Sequence, residues 1–190
     1  MNRSTPAATA HGAGTPDDPD LFRHVLGHYP TGVTVVTARA PDGTPIGMVI
    51  GSFTSVSLDP PLVAFCPGRS STTWPRIMAG GAFCVNVLAA GQERLCRDVS
   101  AKAPDVFDRY PWRGAASGSP VLAGVVAWID CDITDVRTVG DHYFVLGRVR
   151  ELGVEKTGAA PLVFSRGQLG PLPPRRDRDD STDYIWPDWL

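Results

Sequence analysis

The chain has 190 residues, 18 Lys+Arg against 20 Asp+Glu, and a formal charge of −2. That length suits one domain with a proper core, the 43% hydrophobic content excludes a disordered chain, and the near-neutral balance argues against nucleic acid, which needs a basic field. Gly and Pro number 20 and 18, one residue in five, which favours short strands joined by turns over a helical bundle.

Residues 1–19 lack the apolar centre of a signal peptide and read as a flexible leader. Asp20 is placed to cap a helix in which Leu21, Phe22, Val25, Leu26 and Tyr29 recur at helical spacing until Pro30. The β-branched run from Thr31 to Ala40 predicts a strand, Pro41-Asp42-Gly43 a turn, and Ile46 to Leu58 the hairpin partner. Leu62 to Cys66 is a third strand. The polar cluster Arg69 to Thr73 precedes a short helix, with Thr72 or Thr73 as N-cap, Pro75 in its first turn and Gly80-Gly81 as its stop. Ala82 to Leu88 is a strand and Gln92 to Val99 a helix. Val121 to Val139 is a long strand region that bends or bulges. Gly140-Asp141 is a turn, His142 to Leu152 a strand, and Leu162 to Ser165 the last one.

Strands follow one another too closely for repeated βαβ crossovers. A mainly antiparallel closed barrel with helices packed outside fits best, its domain running over residues 20–170. Residues 171–190 form a tail. Its charged run is a solvated linker, and Tyr184, Ile185, Trp186, Trp189 and Leu190 are apolar enough to dock on the domain or on a second subunit. The longest apolar run, Leu122 to Ile129, is too short to span a membrane. Cys66, Cys84, Cys96 and Cys131 are widely spaced without C-x-x-C, the usage of free thiols in a cytoplasmic protein.

His24 and His28 stand four apart on the first helix, but no Cys, Asp or Glu cluster completes a metal site, so no metal is expected. No G-x-S-x-G, Walker A, H-E-x-x-H or strand-following G-x-G-x-x-G occurs. The segment Arg69-Ser70-Ser71-Thr72-Thr73 joins a cation and four hydroxyls to a helix start, which makes an anion site or an ordinary N-cap. His142 opens a strand directly after its Gly-Asp turn.

The run Phe53-Thr54-Ser55-Val56-Ser57-Leu58-Asp59-Pro60-Pro61-Leu62-Val63 resembles the signature of the flavin reductase family, the small reductase components of two-component flavin-dependent monooxygenases. Further family segments match in the same order: Pro30 to Thr37, Ser71-x-Thr73-Trp74, Phe83 to Leu88, Gly140-Asp141-His142, and Pro161-Leu162-Val163-Phe164 with Gly167. The resemblance covers Leu21 to Leu169. It implies a mainly β (α+β) fold, an antiparallel FMN-binding split β-barrel with short peripheral helices, in a homodimer. The implied activity is NAD(P)H-dependent flavin reduction, with hydride passing from nicotinamide C4 to flavin N5. Reduced FMN or FAD would then serve a separate monooxygenase component, with NADH or NADPH as donor. A flavin-retaining oxidase or oxygenase and a non-catalytic flavin-binding protein are alternatives on the same fold.

Site roles follow from the same resemblance. In Pro45-Ile46-Gly47-Met48-Val49-Ile50-Gly51-Ser52, Gly47 and Gly51 would let the flavin ring approach the backbone, and backbone N–H groups with the Ser52 hydroxyl would bond it; the alternative is that the glycines only relieve crowding. Cys66-Pro67-Gly68 would line the pocket, and Arg69, Ser70, Ser71, Thr72 and Thr73 would hold the flavin phosphate. His142 would position nicotinamide, and Phe164, Ser165, Arg166 and Gly167 would contact the rest of that nucleotide. Pro104-Asp105-x-Phe107 resembles a loop that covers the flavin, or is a plain helix-starting turn. Val49 and Gly51 depart from the family, where side chains at these positions often bond the flavin. At about 1 kcal/mol per missing bond, the departure implies weaker flavin binding or an altered choice between FMN and FAD.

Overall fold

The computed structural model describes Thr15, residues 17–155 and residues 158–172. Most of the expected leader and the apolar C-terminal segment lie outside the described residues. The first helix, α1 (Pro19–Leu26), is capped by Asp18 rather than Asp20: the Asp18 carboxylate accepts from Asp20 N at 3.0 Å and Leu21 N at 3.2 Å. Pro19 decides between the two, because its fixed φ and missing N–H suit the first helical position. No residue of α1 is buried, and Phe22, Val25 and Leu26 are each more than half exposed.

Twelve strands follow among the described residues: β1 (Thr31–Gly32), β2 (Thr34–Arg39), β3 (Pro45–Ile50), β4 (Thr54–Leu58), β5 (Pro61–Phe65), β6 (Ala82–Val87), β7 (Trp112–Gly114), β8 (Pro120–Leu122), β9 (Ala127–Val139), β10 (His142–Val154), β11 (Leu162–Ser165) and β12 (Gln168–Pro171). The remaining helices are α2 (Trp74–Gly80), α3 (Glu93–Ser100) and α4 (Val106–Arg109). Seven strands make one sheet in the order β3-β2-β6-β9-β10-β5-β4, every pair antiparallel. β1, β11 and β12 make a second sheet, and β7 with β8 a third.

The expected closed barrel is open at one seam. β3 and β4 are consecutive in the chain yet lie at opposite ends of the sheet order. The run Ile46 to Leu58 is therefore two strands broken at Gly51-Ser52-Phe53, β3 pairing with β2 and β4 with β5. The sheet still curls on itself, because Ile46 and Ile50 of β3 share one buried cluster with Val63 and Phe65 of β5, together with Val36, Phe83, Val85, Cys131 and Val145. Outside it, Val33 and Val35 pack with Leu95, Cys96 and Val99 of α3. β2 is thus covered on both faces, which explains its unbroken burial from Thr34 to Ala38.

A polar knot crosses this core. Asn86 on β6 is fully buried. Its Nδ2 donates to Val35 O, Thr37 Oγ1 and Pro120 O at 3.2, 3.0 and 3.1 Å, and its Oδ1 accepts from Leu122 N at 2.8 Å. One side chain so joins β2, β6 and β8. The expected irregularity of the long strand is present as register shifts of β9 against β10, at Leu146/Gly147 and Val149/Glu151. A Cβ on Gly147 would overlap the buried Phe83 ring and lie 3.2 Å from Cys131 Cβ. Gly147→Ala is expected to lower stability by about 3 kcal/mol, the upper range for overpacking, read as a reduced urea midpoint with an unchanged slope.

Candidate active site

The seam between β3 and β4 is clipped by one hydroxyl. Ser52 Oγ accepts from Cys66 N at 2.9 Å and donates to Cys66 O at 3.3 Å. The chain after Cys66 then crosses to the β9–β10 turn. Tyr143 N donates to Pro67 O, Arg69 N donates to Asp141 O, and Gly68 bridges to His142. Arg69 also donates through Nη1 to Gly140 O at 3.4 Å, so this cation braces the turn. Gly140 takes φ 59°, a left-handed value that its missing Cβ allows.

His142 stands at this junction with its side chain 49% exposed. Its Nδ1 lies 2.7 Å from Asp141 Oδ1. A carboxylate only accepts, so Nδ1 carries the proton, and in the neutral ring Nε2 is left as an acceptor. A Cβ on Gly68 would lie 3.8 Å from His142 Nε2 and 3.9 Å from Ser70 Oγ. The free nitrogen, a hydroxyl and an open patch of backbone therefore converge. The hydrogen bond from His142 is the main reason the Asp141 carboxyl is held below the usual carboxylate range.

The start of α2 differs from the expected cap. Thr73 has helical backbone angles and makes no cap bond; the Ser71 hydroxyl accepts from Trp74 N at 3.1 Å instead. Thr72 Oγ1 accepts from Lys102 Nζ at 2.8 Å. Lys102 follows α3 with φ 55°, its N bonded to Val99 O and Ala103 N bonded to Asp98 O, the position where helices usually end on glycine. Pro45, Ile46, Gly47, Thr72, Thr73, Arg76, Lys102 and Phe107 line a cavity of about 260 Å³. A larger cavity of about 850 Å³ lies across α3 and β3, lined by Thr31, Val49, Gly51, Arg97, Phe164 and Gly167 among others.

The expected residues thus fall into three neighbouring groups. Ser52, Cys66, Pro67, Gly68, Arg69, Ser70 and His142 meet at the seam. Thr72 and Thr73 face the start of β3, and Val49 and Gly51 face Phe164 and Gly167. Gly47 lines the smaller cavity and also makes room for protein: a Cβ there would lie 3.3 Å from Phe107 Cζ and from Val35 Cγ1. Met48 packs against the barrel core. Ser165 and Arg166 lie at the β11–β12 turn, where Arg166 has φ 51° and its N donates to Gly27 O. Lys102 was not singled out from the sequence, since a lone lysine in a loop carries no spacing signal. Among the described residues no cluster of His, Cys, Asp and Glu is arranged for a metal ion, and no helix is long and apolar enough to cross a membrane.

The family described as "Flavin reductase like domain" matches residues 26–173. The chain belongs to the flavin reductase-like family. A flavin reductase of Pseudomonas putida is 56% identical over 153 residues, covering 80% of this chain and 89% of that one. The reductase subunit HsaB of a flavin-dependent monooxygenase from Rhodococcus jostii is 44% identical over 173 residues, covering 88% of each. The solved structure of the Streptomyces globisporus NADH:FAD oxidoreductase SgcE6 superposes with a TM-score of 0.80 at 38% identity, covering 90% of this chain and 98% of that one. The same enzyme has been solved with NAD and FAD fragments. Flavin reductase-like architecture accounts for the open seam and the mainly antiparallel sheets with few short helices.

Proposed function

We propose that the chain is an NADH-dependent flavin reductase, the reductase component of a two-component monooxygenase, with the flavin phosphate at Thr72, Thr73 and Lys102 and the nicotinamide beside His142. The carrying observation is the convergence of these groups along β3 and the seam in a single chain. The donor set of the smaller cavity, the Lys102 ammonium, the Arg76 guanidinium and two hydroxyls, fits a phosphate. Bound flavin supplies the hydride acceptor. The protein's part is to hold two flat groups in register, since alignment supplies much of the rate in such a transfer. Ser52 ties the β3–β4 connection to Cys66 at the end of β5, and Asp141 fixes the rotation of the His142 ring. With no side-chain donor at Val49 or Gly51, flavin is exchanged and reduced flavin leaves for the oxygenase. The reading places the enzyme in the cytoplasm, where NADH is available.

The purified protein is expected to oxidise NADH when FMN or FAD is added and to prefer NADH to NADPH. No turnover above background with either flavin would sink the reading. Lys102→Met is expected to weaken FMN binding about tenfold, the worth of one charged hydrogen bond, while riboflavin, which lacks the phosphate, binds as before. Flavin fluorescence quenching reads both.

The same reading includes a homodimer. It is supported by Phe22, Val25, Leu26 and Tyr29, an apolar face of α1 and its end that the chain leaves exposed. Light scattering is expected to give twice the 20.3 kDa chain mass, and Phe22→Asp with Val25→Asp to give the monomer. A wild-type monomer would refute the dimer.

A further inference from the structure

The loop directly after Lys102 is fastened at both ends to one residue that does not line the cavity. At its start, Asp98 O accepts from Ala103 N at 3.0 Å. At its end, Asp98 Oδ2 accepts from Tyr110 Oη at 2.6 Å and from Arg109 Nη1 at 2.9 Å. Arg109 in turn donates to Asp105 Oδ1 at 2.9 Å, closing the loop internally. The bond from Ala103 is main-chain and the one from Tyr110 uses the carboxylate; Val106 and Phe107 lie between them and Lys102 directly before Ala103, all three on the smaller cavity. Lys102 has a left-handed backbone, which a lysine keeps only where its surroundings hold it. Its N donates to Val99 O at 3.0 Å, and its side chain reaches 30 positions back in the chain to Thr72.

We propose that Asp98 is a positioning residue that clasps residues 103–110, the loop directly after Lys102, and thereby holds Lys102 against the phosphate site. The inference rests on the reading of Lys102 as a phosphate ligand. Asp98 does not itself line the cavity and its carboxylate bonds Tyr110 and Arg109, so its effect passes through the loop and belongs to phosphorylated flavins alone.

The test compares Asp98→Ala, Asp98→Asn and Tyr110→Phe with the wild type and with Lys102→Met. The first readout is the dissociation constant of FMN and of riboflavin by fluorescence quenching; the second is amide hydrogen exchange over residues 102–110. Asp98→Ala is expected to weaken FMN about tenfold, leave riboflavin within about twofold, and speed exchange in the loop while the sheet is unchanged. Tyr110→Phe and Asp98→Asn, which each keep part of the clasp, are expected to weaken FMN about threefold. Tyr110→Phe removes a single oxygen and carries the test if Asp98→Ala does not fold. Equal losses for FMN and riboflavin, or unchanged FMN affinity in Asp98→Ala and Tyr110→Phe, would overturn the clasp. If Lys102→Met weakens FMN and the Asp98 and Tyr110 variants do not, the clasp is wrong and the phosphate site stands. If Lys102→Met also leaves FMN binding unchanged, the phosphate site itself is wrong and the clasp falls with it.

Discussion

Replacing Asn86 with leucine is expected to destabilise the protein by about 4 kcal/mol, among the larger effects a single substitution produces. Leucine matches the bulk of the site but offers no polar atoms. Leu122 N loses its acceptor in a fully buried position, and a buried orphan donor alone costs about 1–3 kcal/mol. Val35 O and Pro120 O each lose a donor, and the branched side chain must fit where a planar amide lay. Pro120 O keeps the Thr37 hydroxyl at 2.5 Å, so the knot is damaged rather than erased. Thr37→Val, which deletes one hydroxyl of the same knot, is expected to cost about 1.5 kcal/mol. Urea denaturation of both variants checks the ranking. A loss below about 1 kcal/mol for Asn86→Leu would show that β8 is held by packing alone.

The second large effect is on catalysis. His142→Ala is expected to slow NADH-dependent flavin reduction about a hundredfold, the scale of a misplaced reacting pair. Stability should stay within about 0.5 kcal/mol of wild type, because the side chain is half in solvent. Deuterium at the transferred position of NADH separates the causes: the isotope effect on turnover should rise in the variant as hydride transfer becomes the slow step. An unchanged rate would remove His142 from the site. Asp141→Asn keeps an oxygen that accepts from Nδ1 and is expected to lose only about tenfold. The pH dependence has a definite sign. The Asp141 pKa lies below its ordinary 3.8, so the charged partner is fully present at neutral pH and is lost only as pH falls through that lowered value.

Several features of the molecule are legible in the amino-acid order because they are local. The β-branched run through β2, the Pro41-Asp42-Gly43 turn and the Gly140-Asp141-His142 corner each carry their own signal within a few residues. The family resemblance added the open seam, which periodicity alone read as a closed barrel. The break at Gly51-Ser52-Phe53 has no strong punctuation; it exists because the two halves of the run find different partners, β2 and β5. Distance in the chain hid the rest. Phe107 comes to cover Gly47 from 60 positions away, and Lys102 meets Thr72 only because α3 ends in a left-handed turn. The cap of α1 turned on two aspartates of equal merit, separated only by the proline between them.

The burial of three thiols has a chemical consequence for an enzyme of this kind. Reduced flavin released into aerated water reacts with dioxygen and generates hydrogen peroxide beside the protein that made it. Peroxide attacks cysteine as the thiolate. Cys84 and Cys131 are fully buried and Cys96 nearly so, and burial pushes all three thiols up, Cys131 to about 12. At neutral pH Cys84 and Cys131 offer peroxide almost no thiolate and no access, and Cys96, on the wall of the larger cavity, has its thiol pushed up by burial. Oxidative wear falls first on Cys66, the thiol at the seam that is not buried.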